Sequence, residues 1–178
     1  MTTSDKPTAT AETISVESVI RSPSLLIASW FLSGLAPVAP GTAGSLAALP
    51  LVAVVLHMLP LFWTVSLVVL LFGLGVWSAS EAGRRWGKVD HGAIVIDEVV
   101  GQLIAVAIPF YLLGDAILSL PEALLLGFVA FRLFDIVKVW PADYFDVHSK
   151  NGWGVMLDDV FAGIWAGIVV AILGLALY

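Results

Sequence analysis

The chain contains no cysteine, which excludes disulfides, thiolate metal sites and a phosphatase mechanism built on a cysteine nucleophile. Charge is scarce as well. Asp, Glu, Lys and Arg make up 12% of the 178 residues, about half the share found in soluble globular proteins. Positive charge is the scarcer sign, with 8 Lys and Arg against 14 Asp and Glu and a net charge of −6. Without a clustered basic surface to neutralise a phosphodiester backbone, the composition argues against nucleic-acid binding. There are only 3 histidines, and neither His57 nor His91 lies in the basic motif that a histidine nucleophile would need.

Apolar residues dominate instead, at 60% of the chain with a mean hydropathy of +1.00. A helix crosses the hydrocarbon with about 20 apolar residues, and five stretches approach that length: Ser45 to Leu59, Leu61 to Ser80, Ile94 to Leu113, Pro121 to Val139 and Val155 to Tyr178. The pattern predicts an all-α, polytopic bundle of about five transmembrane helices. Ser24 to Ser33 is apolar over only half a span and is expected to lie in the interface or re-enter, with Trp30 as its anchor. Residues 1–22 are polar and rich in Ser, Thr and acids, and read as a disordered tail before a single membrane-embedded domain over 23–178. Arg21 followed by Leu25 to Leu32 imitates a signal peptide, but the motif-bearing loop follows at once, so the segment is read as retained.

Five crossings put Lys6, Arg21, Arg84, Arg85, Lys88, Arg132, Lys138 and Lys150 on one side. The opposite connections carry no Lys or Arg. Basic residues are retained on the inner side of short loops, so that first side is expected to be cytoplasmic. The same parity gathers Asp90, Asp97, Glu98, Asp135, Asp158 and Asp159 at that surface. An unpaired charge inside an apolar span costs about 2.5 kcal/mol or more, and the adjacent pairs Asp97-Glu98 and Asp158-Asp159 would repel. A divalent cation resolves the repulsion, and oxygen-only ligands favour a hard ion, Mg²⁺ first and Mn²⁺ or Ca²⁺ as substitutes. The competing reading is that these acids only cap helix N-termini.

Three further features surround the acids. Arg132, Asp135 and Lys138 recur at three-residue spacing and form a plus, minus, plus stripe that could hold metal and phosphate together, or an intrahelical ion-pair ladder. Pro40-Gly41-Thr42-Ala43-Gly44-Ser45 reads as a glycine-rich turn opening a helix, where Thr42, Gly44 and Ser45 could bind an anion or simply cap. His91 could protonate a departing alkoxide, with His148 and Asp146 as weaker candidates, and Lys150 before Gly152-Trp153-Gly154 could close over a headgroup. Gly163 and Gly167 form a GxxxG pattern suited to intramolecular packing.

The stretches Ala36 to Ser45, Asp90 to Glu98, Phe131 to Lys138 and Gly152 to Asp159, in that order and spacing, resemble the phosphatidylglycerophosphatase A family. The resemblance implies a bacterial inner-membrane, Mg²⁺-dependent enzyme that converts the lipid phosphatidylglycerophosphate to phosphatidylglycerol. It implicates Asp97, Glu98, Asp135, Asp158 and Asp159 as the acidic core and Arg132 and Lys138 as its basic partners. Where relatives carry Lys-Pro-Trp-Pro this chain has Lys138-Val139-Trp140-Pro141, and their Gly-Gly-x-Gly turn becomes Asn151-Gly152-Trp153-Gly154. Neither change removes a charge. The spacing leaves open whether water attacks phosphorus directly or an Asp is first phosphorylated, and it does not fix an oligomeric state. A divalent-cation transporter and a non-enzymatic membrane assembly protein are the readings from other classes. Transport sites belong near the bilayer midplane, whereas these acids are expected at one edge.

Overall fold

A computed structural model describes residues 13–177, which contain helices and connecting turns and no strand. The long helices are α3 (Pro40–Met58), α4 (Leu61–Trp86), α5 (Ile96–Leu113), α6 (Leu120–Val137) and α8 (Gly152–Leu177), with short helices α1 (Val16–Ile20), α2 (Pro23–Ala28) and α7 (Ala142–His148) between and before them. Helices α3, α4, α5 and α8 are long and apolar enough to cross a membrane. Helix α6 equals α5 in length at 18 residues but carries Glu122, Arg132 and Asp135.

Each of the five expected spans corresponds to one long helix, with shifted ends. Helix α3 starts at Pro40, whose fixed φ suits a first helical position, so the Gly-Thr-Ala-Gly-Ser segment is helix and the turn lies before it, through Ala39 at φ 47°. Helix α4 extends past its apolar stretch to Trp86, because Glu81 pairs with Arg84 and Arg85 at 2.7 and 2.8 Å and lets a charged turn remain helical. The expected tail is shortened at its end: Ser15 and Ser18 form a reciprocal cap that opens α1, and Val19 is fully buried. Residues 1–12 of that tail, Lys6 among them, lie outside the described residues.

Helix α5 is the most enclosed of the spans and packs chiefly against α8, with α3, α6 and α4 around it. The α5–α8 crossing depends on glycine. A Cβ on Gly163 would strike the Gly101 carbonyl, and one on Gly101 would lie 2.7 Å from the Asp159 carbonyl oxygen. The outer faces of α4, α6 and α8 expose Val69, Leu125, Val129, Leu133, Ile172 and other large apolar residues, as a lipid-facing wall requires. Exposed aromatics mark both ends of the bundle: Phe62 and Trp63 at one, Phe31, Trp140 and Trp153 at the other.

The segment expected to re-enter is α2 followed by a reversal through Trp30, Phe31 and Leu32, all at positive φ. It packs inside the fold. The Val95 amide donates to the Ala28 carbonyl at 2.8 Å, and a Cβ on Gly34 would collide with the Ala93 carbonyl. Trp30 is half-buried and donates its indole N–H to the Ala47 carbonyl at 3.4 Å. This short element therefore braces loop residues 93–95, from which α5 starts.

Candidate active site

At the end of the bundle where α5 and α8 begin and α6 ends, the four separated motifs meet in one cavity of about 330 Å³. Loop 90–94 and the starts of α3 and α5 contribute Asp90, Gly41, Asp97 and Glu98, while α6 contributes Arg132, Asp135 and its capping residue Lys138, and α8 contributes Asp158 and Asp159.

Asp97 and Glu98 occupy the first turn of α5, and Asp159 faces them from α8. One carboxylate oxygen from each of the three lies within 4.8 Å of the others. Opposite ligands of one Mg²⁺, each at about 2.1 Å, stand about 4.2 Å apart, so these three oxygens can share one hard cation. Asp97 Oδ1, Glu98 Oε2 and Asp159 Oδ2 are buried with no hydrogen-bond partner among the described residues. Buried acceptors are rarely left unsatisfied, and three within one cluster fit a cation as their common partner. Asp97 and Glu98 do lie where the dipole of α5 favours carboxylates, but capping leaves these three oxygens without a donor. The N-cap of α5 is Val95, which makes no side-chain cap, and Asp158 and Asp159 lie almost two turns inside α8.

The basic residues flank this cluster. Arg132 Nη1 pairs with Asp135 Oδ2 at 2.8 Å, and Lys138 Nζ pairs with Asp158 Oδ2 at 2.7 Å. The stripe on α6 is thus only half an intrahelical ladder, since Lys138 reaches across to α8. Lys138 adopts φ 49° as it caps α6, and the turn it makes aims the chain away while its amine remains at the cavity. Arg132 lies about one and a half turns before the end of α6 and its Nε has no partner among the described residues.

The glycine-rich segment plays a different part from the expected anion turn. Gly41 lines the cavity, and a Cβ there would collide with Glu98 Oε1 and approach Arg132 Nη2 at 3.3 Å. A Cβ on Gly44 would lie 2.6 Å from Val95 Cβ, so Gly44 serves helix packing. Ser45 is fully buried, donates to the Gly41 carbonyl at 3.0 Å and accepts from Arg132 Nη1 at 3.3 Å. It holds the guanidinium in place. Thr42 is half-buried and does not line the cavity. Gly41 was missed in the sequence because a clearance requirement leaves no chemical signature; its only signal was small residues at helical spacing in Gly41, Gly44 and Ser45.

His91 is not among the cavity-lining residues. Its Nδ1 accepts from the Ala93 amide at 3.1 Å and its ring meets Trp86 edge-on at 5.4 Å. Burial, reinforced by Lys88 and opposed by Asp90, holds its pKa below the usual 6.5, which keeps it neutral. Asp90 is exposed at the mouth of the cavity. Lys150 lines a small adjoining cavity together with Asp90 and Asp158. His148 stacks on Tyr144 at 4.5 Å, away from the acids, and the Asp146 side chain lies outside the described residues.

A model of a family described as phosphatidylglycerophosphatase A matches residues 26–174. Two relatives carry that name: one from Haemophilus influenzae, 42% identical over 82% of this chain and 85% of its own length, and one from Escherichia coli, 35% identical over 84% and 82%. A Bacteroides thetaiotaomicron protein provisionally named a phosphatidylinositol-3-phosphatase is 37% identical over 83% of this chain and 91% of its own length. No solved structure matches the chain.

Proposed function

The chain belongs to the phosphatidylglycerophosphatase A family, and from that membership we propose that it removes the terminal phosphate of phosphatidylglycerophosphate at the cytoplasmic face of an inner membrane, using Mg²⁺. The observation that carries the reading is the cluster of Asp97, Glu98 and Asp159 with three unpartnered oxygens, beside Arg132 and Lys138 in one cavity.

In this reading Asp97, Glu98 and Asp159 hold the cation, with Asp135 and Asp158 beside them. Bound there, Mg²⁺ supplies charge neutralisation for the phosphoryl oxygens and a nucleophile available at neutral pH. Arg132 donates to the phosphoryl group as negative charge spreads over its oxygens, and Lys138, at the end of the same helix, does the same. Asp135 and Ser45 fix the guanidinium through the contacts at 2.8 and 3.3 Å, so little of its reach is spent in reorganisation. Glu98 keeps its place because Gly41 leaves room for its carboxylate.

The position of the cavity suits a lipid phosphomonoester, whose phosphate lies at headgroup level while its acyl chains stay in the bilayer. The cytoplasmic assignment is supported by the Lys and Arg residues among those described, which all lie at the cavity's end of the bundle. An acidic site at one edge of the spans also favours hydrolysis over transport, since a translocation site needs access from both sides.

The test is phosphate release from phosphatidylglycerophosphate in detergent micelles, with Mg²⁺ and with chelator, by wild type and by Asp97→Asn and Asp158→Asn variants. Release that stops with chelator and falls roughly hundredfold or more in the variants is expected. Chelator-resistant wild-type activity rules out the metal mechanism, and release from an inositol lipid phosphate alone moves the substrate toward the Bacteroides relative's name.

A further inference from the structure

A second polar cavity of about 230 Å³ lies between the C-terminal end of α4 and the N-terminal end of α8, with Arg84, Lys150 and Asn151 on its walls. It shares Val89 and Lys150 with the small cavity that in turn shares Asp90 and Asp158 with the acidic one. The three thus lie side by side from the carboxylate cluster outward, the middle one with room for about one water at about 10 Å³. We infer that this second cavity seats the phosphodiester of the lipid headgroup while the acidic cavity takes its terminal phosphate, with Lys150 and Arg84 as the residues that select a headgroup carrying both groups.

The inference rests on the proposed phosphatase reading and deepens it. A diphosphorylated headgroup carries one phosphomonoester, which is cleaved, and one phosphodiester, which is not. The two cannot occupy the same place. The cluster at the acidic end repels any anion whose charge is not met by a cation, so the diester needs its own positive charge, and Arg84 and Lys150 are the charged residues on the second cavity's walls. Arg84 spends Nε and Nη2 on Glu81, at 3.2, 2.7 and 2.8 Å, which fixes the plane of the guanidinium and leaves Nη1 without a partner among the described residues.

The local sequence builds this wall deliberately. Asn151 Oδ1 accepts from the amides of Trp153 and Gly154 at 3.0 and 3.1 Å and so caps α8. A Cβ on Gly152 would strike Ser80 Oγ, and one on Gly83 would lie 2.9 Å from Val89 Cα. Gly152 lets α8 start directly against α4 and Gly83 lets the loop through Val89 fold back on α4, so that Lys150 and Arg84 line the same cavity. Trp153, exposed and packed edge-on against Phe72 at 5.5 Å, marks the membrane interface next to the cavity. A diester held here leaves its acyl chains on the lipid side.

The experiment measures KM and kcat for phosphatidylglycerophosphate in mixed micelles, together with inhibition by phosphatidylglycerol, which retains the diester alone, and by inorganic phosphate. Wild type, Lys150→Ala, Lys150→Arg and Arg84→Ala are compared. Phosphatidylglycerol is expected to compete with substrate in wild type. Lys150→Ala and Arg84→Ala are expected to raise KM and the phosphatidylglycerol inhibition constant in parallel by about tenfold, the loss of one charge-assisted contact. Lys150→Arg retains both, and inhibition by inorganic phosphate stays as in wild type. The inference is overturned if phosphatidylglycerol does not compete with wild type, if kcat alone falls, or if inorganic phosphate weakens in step with phosphatidylglycerol. A wild type that releases no phosphate at all refutes the phosphatase reading instead.

Discussion

Gly41 sets how closely α3 approaches the carboxylate of Glu98, and the tolerance is smaller than a methyl group. Gly41→Ala is therefore expected to lower phosphate release by at least roughly tenfold through displacement of one cation ligand, while melting behaviour in detergent stays close to wild type. His91 makes a different prediction. Its ring accepts from the Ala93 amide and remains neutral, so the folded protein binds fewer protons there than the unfolded chain once the pH drops below about 6.5. Stability should fall with pH from that value down to the lowered folded pKa, and His91→Asn, which can still accept from Ala93, should remove this slope in thermal melts. At this scale the charged site residues were legible in the sequence because a carboxylate or guanidinium within an apolar run has few other reasons to be there. Gly41 and the role of Ser45 were not, since both matter only through what a neighbouring helix places against them.

Among the helices, α5 does most to arrange the site, with Asp97 and Glu98 at its first turn and Gly101 at the crossing with α8. Its far end is secured by Tyr111, whose hydroxyl donates to the Leu59 carbonyl at 2.6 Å and also meets Thr64 Oγ1 at 2.8 Å. That bond satisfies a carbonyl at the end of α3 that has no helical partner. Tyr111→Phe is expected to cost about 1–2 kcal/mol in reversible unfolding and to leave the KM of the distant site unchanged. The long helices were legible as apolar runs. Their ends were not, because the charged last turn of α4 is held by Glu81, Arg84 and Arg85, and the start of α3 by a proline, neither of which raises hydropathy.

Taken as a whole, the molecule is a bundle with the described Lys and Arg residues at one end and only acidic charges, Asp115 and Glu122, among the described residues at the other. The convergence of remote motifs followed from counting crossings, because each passage of the membrane returns the chain to a known side. The bracing of loop 93–95 by α2 did not follow, since a six-residue helix has no distinctive period. The lack of cysteine supplies a clean background for testing the orientation. A membrane-impermeant maleimide added to intact cells should label Asp115→Cys, at the end without Lys or Arg, and should reach Asp143→Cys only after permeabilisation. The reverse pattern would put the acidic cavity on the outer face. The central claim, that Asp97, Glu98 and Asp159 jointly hold one divalent cation, is tested most directly by titrating the purified protein with Mn²⁺ and following the free-ion signal by electron paramagnetic resonance. Wild type should remove Mn²⁺ from solution in competition with Mg²⁺, and a folded Asp97→Asn, Asp159→Asn double variant should not. Equal Mn²⁺ binding by both proteins would contradict the account.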